Sequence, residues 1–317
     1  MKVRFIDRLV YIAARIAIGI AARVPQWFGY TAADGLGRLW FRFDRRRRGY
    51  GLKFLRQAFP DRPDHELLRI GSRATGNLFK VPLDMARLTR LLARGGDVRS
   101  VLDYGNAAPL LASLPKPCFG LTAHLGNWEV AAVGMAQWFG GADSVARISK
   151  NPLLESWILA NRERGGLVVH PRRGGIRGLA AGLERSGVGL MVVDQNQRLR
   201  GVFAPFFGKL ASCERAAVTL ALRKGYPILV GGAIRRGRGF KFEMVAMEPF
   251  TLQATGDRAA DLQAAVRRVN AAVEQLVLLA PEQYLWIHDR YRTQPSASDL
   301  PEAAYGDDDG DARGDGG

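Results

Sequence analysis

Apolar residues recur along this chain in two rhythms, and the change from one to the other divides it. Over residues 1–24, Phe5, Leu9, Ile12, Ile16 and Ile20 cluster on one side of a helical wheel. Arg4, Arg8 and Arg15 fall within about 40° of one another, roughly 100° away from that stripe. An apolar stripe with a cationic flank predicts an amphipathic helix lying in a membrane surface. No window of about 20 residues there is free of charge, so a membrane-crossing helix is not expected. Nor does a small-residue cleavage site follow a clean apolar core, as a signal peptide requires. The plainer alternative is a helix packed on the protein's own core with its arginines in water. Residues 63–92 also read as a helix, with Asp64 available as its cap.

From residue 117 the rhythm alternates. Apolar runs at 118–123, 188–193 and 227–234 read as buried strands, and 240–247 as a strand that alternates in polarity. Between them lie helical patterns at 129–139, 152–164, 175–185 and 213–224, and a last helix covers about 257–279. This order predicts an α/β fold: a layered, substantially parallel or mixed sheet flanked by helices, with the amphipathic helix in front. The expected division is a membrane-associating segment at 1–50, an α/β domain at 51–293 and a tail at 294–317. The tail is rich in glycine and aspartate and too poor in apolar groups to order itself.

Composition sharpens the picture through charge. The formal net charge is +16, although residues 295–317 set seven acids against Arg313 alone, so the body is more basic still. Its partners are therefore expected to be anionic. Trp27, Phe28, Tyr30, Trp40, Phe41 and Phe43 lead into the run Arg45 to Arg48, a mixture that an anionic headgroup region favours. A solvated helix end explains the arginine run equally well. Nucleic-acid modules interleave base-stacking or groove-reading elements with their charge, and no such signature is present, which leaves nucleic acid as the weaker partner. Cys118 and Cys213 sit in apolar runs without metal-ligand spacing, so they read as buried free thiols in a reducing compartment, with no metal site.

The candidate chemistry lies in residues 121–129, Leu-Thr-Ala-His-Leu-Gly-Asn-Trp-Glu, where the first buried run breaks into a helical pattern. His124 and Glu129, five residues apart, would sit about 140° apart on one helix and cannot share a face. A strand, a turn at Gly126 and a helix capped by Asn127 can bring them together, with Glu129 in the first helical turn. A carboxylate there can hold one nitrogen of the imidazole and leave the other to take a proton from a hydroxyl. Sites in such sheets form beyond the carboxyl ends of strands. His124 ends one apolar run and Asp194 another, so Asp194 is either a second polariser of His124 or a cap for the loop that follows it.

Several blocks together resemble one family, the lipid A biosynthesis lauroyl/myristoyl acyltransferases of the lysophospholipid acyltransferase superfamily. They are His124-Leu-Gly-Asn-Trp-Glu129, Arg147 with Asn151-Pro152, Arg162 and Arg164 before Gly165, and the helix start Gly175-Ile176-Arg177. Asp194-Gln195-Asn196, Gly201-Val-Phe-Ala-Pro-Phe-Phe-Gly208, and Tyr284-Leu-Trp286 with His288 and Arg290 complete the set. The resemblance runs to about Arg292. It implies an enzyme that transfers a fatty acyl group from a thioester, on acyl carrier protein or coenzyme A, to a hydroxyl of a glycolipid, with a lipid A precursor as the expected acceptor. Another glycolipid or an aminolipid is the alternative, and a non-catalytic basic protein that binds membrane or nucleic acid is the alternative of another class.

By that resemblance His124 is the base and Glu129 its orienting partner. The substrate-binding residues it implies are Asn127, Arg147, Asn151, Arg162, Arg164, Gln195, Phe206, Phe207 and Gly208. No cofactor beyond the thioester co-substrate is expected, and the place of work is the cytoplasmic face of the inner membrane. The chemistry agrees, since a thioester is already activated and the protein has chiefly to deprotonate an alcohol and position it. No Gly-x-Ser-x-Gly elbow is present, which fits direct transfer. The alternative for Arg147, Arg162 and Arg164 is surface ion pairing with Glu155 or Glu163, and a Phe-Phe pair near a glycine, such as Phe206 with Phe207, is more often plain core than channel wall. Cys213 departs from the family in standing where a hydroxyl residue commonly follows the Phe-Phe-Gly loop.

Overall fold

A computed structural model describes residues 3–146, 149–171 and 174–296. Four helices come first: α1 (Phe5–Ala21), α2 (Gln26–Phe43), α3 (Arg45–Ala58) and α4 (Asp64–Ala93). Helix α4 carries the assembly because its buried residues Leu67, Ile70, Ala74, Asn77, Val81, Asp84 and Leu88 recur every three or four positions, a continuous inward stripe. Helices α1, α2 and α3 all pack against it. The outer sides of α1 and α2 stay apolar and exposed: Phe5, Ile12, Ile16 and Ile20 on α1, Trp27 and Phe43 on α2. Among the described residues, no helix is long and apolar enough to cross a membrane.

The remainder is the layered α/β domain. Its strands and helices are β1 (Leu102–Asp103), α5 (Ala107–Ser113), β2 (Cys118–Thr122), α6 (Trp128–Phe139), β3 (Ala142–Ala146), α7 (Pro152–Arg164) and β4 (Leu167–Pro171). There follow α8 (Gly175–Ser186), β5 (Val188–Val192), β6 (Val202–Phe206), β7 (Lys209–Cys213), α9 (Ala216–Lys224), β8 (Ile228–Arg235), β9 (Phe242–Ala246) and α10 (Arg258–Leu279). Seven strands form one sheet in the order β1-β9-β8-β2-β5-β3-β4, parallel except where β9 runs against β8.

The central strands are covered on both faces, which is why they read as unbroken apolar runs. In β2, Phe119 and Leu121 enter the core beneath α8, α9 and α10, while Cys118 enters the core beneath α6. Both cysteines are buried and free.

Three features differ from the sequence expectation. Strand β4 is the edge of the sheet and β3 lies next to it, and they carry Asp143, Ser144 and His170, so their apolar signal is too broken to announce a strand. Residues 202–213 form an antiparallel hairpin, β6 with β7. The helix expected from Cys213 therefore begins at Ala216, with Cys213 closing β7.

Sheet order decides where the site forms. The chain leaves β2 through α6 to β3, two places away, returns through α8 to β5 in the gap, and then crosses to β8 on the far side of β2. That passage makes β5 the parallel neighbour of β2, with Thr122 opposite Val192. The loops after the two strands, one bearing His124 and the other Asp194, emerge side by side at the carboxyl end of the sheet.

Candidate active site

The turn after β2 is tightly determined. Gly126 adopts φ +56°, and a Cβ there would lie 2.1 Å from the carbonyl oxygen of Ala233 on β8, so no other residue fits. Asn127 then caps α6, its Oδ1 accepting from the backbone N–H groups of Glu129 and Val130 at 3.0 Å each. The Asn127 side chain is wholly buried, and its Nδ2 donates to Asp84 Oδ2 at 3.0 Å. Asp84 is in turn ion-paired with Arg235 and accepts from the Tyr30 hydroxyl at 2.6 Å. A buried carboxylate with this many donors fixes the turn against the sheet and against α2 and α4. Its signal in the sequence was an acid lying on the inward stripe of α4.

The imidazole of His124 is held by Asp194. Nδ1 lies 2.7 Å from Asp194 Oδ1, and the backbone N–H of His124 donates to Oδ2 at 3.0 Å, so one carboxylate grips both the ring and the main chain of the residue. Nε2 lies 3.3 Å from the Gln195 side-chain amide. The ring stands edge-on to Trp128, with centroids 4.8 Å apart. Burial disfavours the imidazolium, yet the attraction and hydrogen bond of Asp194, with a smaller pull from Glu129, outweigh it and raise the pKa above the ordinary histidine value. Burial pushes the Asp194 carboxyl the other way, but His124 and the more remote Arg290 cation hold it below the usual carboxylate range. His288, behind the pair, is pushed down by burial and stays neutral.

The orienting role expected of Glu129 is therefore not borne by a contact. Glu129 does occupy the first turn of α6, but its carboxylate is taken by the Arg162 guanidinium in a two-pronged pair, Oε1 to Nη2 at 2.5 Å and Oε2 to Nε at 3.1 Å. The physical reason is direction. The cap at Asn127 turns α6 across the face of the sheet, and the Glu129 side chain leans toward α7, whereas Asp194 arrives on the same edge of the sheet as the histidine.

The Glu129–Arg162 pair and Trp128 border a cleft between α6 and the sheet, with about 650 Å³ of empty space counted out to its open mouth. Its walls are apolar, from Gly120 on β2, Met135 on α6, Leu190 and Met191 on β5, Leu229 on β8 and Met244 on β9.

The other expected binding residues divide. Gln195 and Arg162 belong to this centre. Asn151 instead caps α7, and its Nδ2 donates to the carbonyl of Asp7, tying α7 to α1. Arg164 donates to Asn161 Oδ1 at 3.0 Å within the last turn of α7. Phe206 and Phe207 do not line the cleft. They pack with Phe54 and Trp286 in the core on the other face of the sheet, and Gly208 makes the turn between β6 and β7. Burial of a Phe-Phe pair beside a hairpin turn explains that placement. Arg147 lies outside the described residues. Among the described residues no group of histidine, cysteine or acidic side chains has the arrangement of a metal site.

Comparison with known proteins supplies the remaining context. The family described as bacterial lipid A biosynthesis acyltransferase matches residues 2–293. The chain is 24% identical to a lipid A biosynthesis lauroyltransferase of Escherichia coli, over 87% of this chain and 89% of that one. It is 29% identical to a phosphatidylinositol mannoside acyltransferase of Mycobacterium tuberculosis, over 60% of this chain and 59% of the relative. It is 26% identical to a lipid A biosynthesis acyltransferase of Haemophilus influenzae, over 55% and 54%.

Proposed function

Because the chain belongs to the bacterial lipid A biosynthesis acyltransferase family and is an acyltransferase, we propose that it moves a fatty acyl group from a thioester to a glycolipid hydroxyl, with His124 as general base. The observation that carries this reading is the 2.7 Å contact between His124 Nδ1 and Asp194 Oδ1 beside the apolar cleft. With Nδ1–H donating a hydrogen bond to Asp194, the neutral ring keeps a lone pair on Nε2, where an acceptor hydroxyl displaces the Gln195 amide. Nε2 takes the hydroxyl proton as the oxygen attacks the thioester carbonyl carbon. The tetrahedral intermediate then collapses with cleavage of the C–S bond, and the leaving thiolate recovers the proton from the imidazolium. Asp194 stays ionised throughout and steadies the transient cation. The acyl chain lies in the cleft walled by Met135, Leu190 and Met244, whose burial of methylenes supplies binding energy of about 0.8 kcal/mol each.

The acceptor is a lipid A precursor in this reading, after the relative that matches nearly end to end. The phosphatidylinositol mannoside enzyme favours a second reading, the same chemistry on a different glycolipid. Acyl carrier protein, being acidic, or coenzyme A, carrying phosphates, suits the strongly basic body. The enzyme docks on the cytoplasmic face of the inner membrane through the exposed apolar sides of α1 and α2, framed by their arginines. The test is mass spectrometry of lipid extracts from strains with and without the gene, joined to an assay of the purified protein with both thioester donors. Loss of one acyl chain from lipid A is expected in the deletion strain, and an unchanged lipid A profile removes that acceptor.

A further inference from the structure

The stretch that follows α10 touches both loops of the site. At one end it meets the loop of His124. The backbone N–H of Gly126 donates to the carbonyl of Gln283 at 3.0 Å, that of Leu285 donates to the carbonyl of His124 at 3.1 Å, and Leu125 bridges Tyr284. At the other end it meets the loop of Asp194. The Asn196 N–H donates to His288 Nε2 at 3.2 Å, Asn196 and Thr293 exchange two hydrogen bonds at 3.0 and 3.1 Å, and the Thr293 hydroxyl donates to the carbonyl of Gln197 at 3.2 Å. Eleven residues thus fasten His124 and Asp194, which are 70 positions apart in the chain, to one strap.

In the middle of the strap sits Arg290, only 1% exposed. Its Nη1 donates to the carbonyl of Ser212 at 2.7 Å, Nη2 to the sulfur of Cys213 at 2.9 Å, and its guanidinium lies 5.1 Å from the centre of the Phe206 ring. Among the described residues no carboxylate forms an ion pair with it, and its Nε has no partner. A buried cation without a counter-charge is costly, so its persistence calls for an anion within its field. The strap bonds Asn196, two residues beyond the buried Asp194, and so brings that carboxylate into the field of Arg290.

We infer that residues 283–293 are the positioning element of the His124–Asp194 pair, and that Arg290 is a positioning residue whose buried charge balances Asp194. The role rests on the reading of His124 as base, but its electrostatic part is measurable without any substrate. Groups facing the pair are Glu129 on α6, Tyr284, His288 and Arg290 on the strap, and Gln195 on the Asp194 loop. With Arg290 neutralised, Asp194 attracts a proton to His124 more strongly.

The experiment follows the nitrogen signals of the His124 ring against pH in the full-length protein, as wild type, Arg290→Gln, Arg290→Met and Arg290→Lys. The two neutral variants are expected to raise the ring's midpoint by roughly 1 pH unit, as loss of a buried cation from the field of the pair implies, while lysine holds it near wild type. Midpoints unmoved in the neutral variants overturn the charge role, whatever reaction the enzyme performs. Thr293→Val, half-buried at the strap's end, tests the fastening even if the arginine variants do not fold. It is expected to lower kcat about tenfold with KM for the thioester and the pH profile unchanged, an effect within the range of mispositioned catalytic groups. Unchanged kcat in that variant overturns the strap.

Discussion

Two histidine–aspartate pairs are built into this sheet, and on paper they are twins. His124 with Asp194 and His170 with Asp143 each meet at 2.7 Å, and in each the histidine side chain is 18% exposed while the aspartate is buried. What separates them is what else touches each partner. Asp143 also accepts from Arg185 at 2.9 Å and from the Ser186 hydroxyl at 2.8 Å, so its charge is satisfied by groups that have nothing to do with the histidine. His170 engages Asp143 through Nε2, and its Nδ1 faces α8 so closely that a Cβ on Gly178 would lie 2.5 Å away. That ring has no nitrogen left for a substrate. In the other pair the bond uses Nδ1, the aspartate shares its charge with the buried Tyr284 hydroxyl and, farther off, the Arg290 cation, and among the described residues the hydrogen-bond partner of Nε2 is a displaceable amide. A hydrogen-bonded histidine and aspartate do not make a base. The proposed role also needs an accessible second nitrogen, and of the two pairs it is His124 that has one.

The contrast breaks most sharply if His124 is replaced. His124→Ala is expected to lower acyl transfer by about 10⁴-fold, the upper range for loss of a general base, with circular dichroism unchanged. Turnover close to wild type in a purified transfer assay would remove the proposed mechanism. Asp194→Asn comes next, with a loss of about 10²–10³-fold, because the amide neither fixes the tautomer nor steadies the imidazolium.

The pH profile sharpens the same difference. In the proposed mechanism the ring must be neutral, and the His124 pKa is raised, so activity should be lost as pH falls through a midpoint above about 6.5. Asp194→Asn removes the charge that raises it, and the acid limb of the residual activity should move to lower pH. A limb that stays in place in that variant would mean another group titrates.

Glu129→Gln is expected to cost about tenfold in kcat/KM, less than Asp194→Asn, since Glu129 acts on the ring only through its field. Equal losses in the two variants would restore Glu129 to the orienting role that its spacing suggests. The smallest effect on turnover belongs to His170→Ala, within about threefold of wild type, with unfolding stability lowered by about 1–2 kcal/mol because Asp143 keeps its other partners. Chemical denaturation measures the second figure. A large drop in kcat there would give the second pair a share in the reaction.

Much of this molecule was legible in one dimension. Alternation of apolar runs with helical patterns predicted the layered sheet, because strands covered on both faces must be apolar throughout, and residues 118–123 and 227–234 show it. Strands β3 and β4 escaped because Asp143, Ser144 and His170 interrupt their pattern. The hairpin at residues 202–213 escaped because Pro205 and Gly208 read as a loop. In the site, His124, the cap at Asn127 and the place of Glu129 in the first helical turn all follow from local rules of turns and caps.

Which acid reaches the histidine did not follow from them. Sequence spacing describes neighbours along the chain, and Glu129 is the neighbour it offered. The order of strands in a sheet is fixed instead by how whole layers of side chains pack, and here it sets β5 against β2 and carries Asp194 across 70 residues to Nδ1. The same packing sends Phe206 and Phe207 away from the cleft and buries Arg290 where its charge is felt. Residue types and periods determined what the elements are. Only their assembly decided which groups stand within a hydrogen bond of each other, because that distance is a property of the folded core and not of any segment in it.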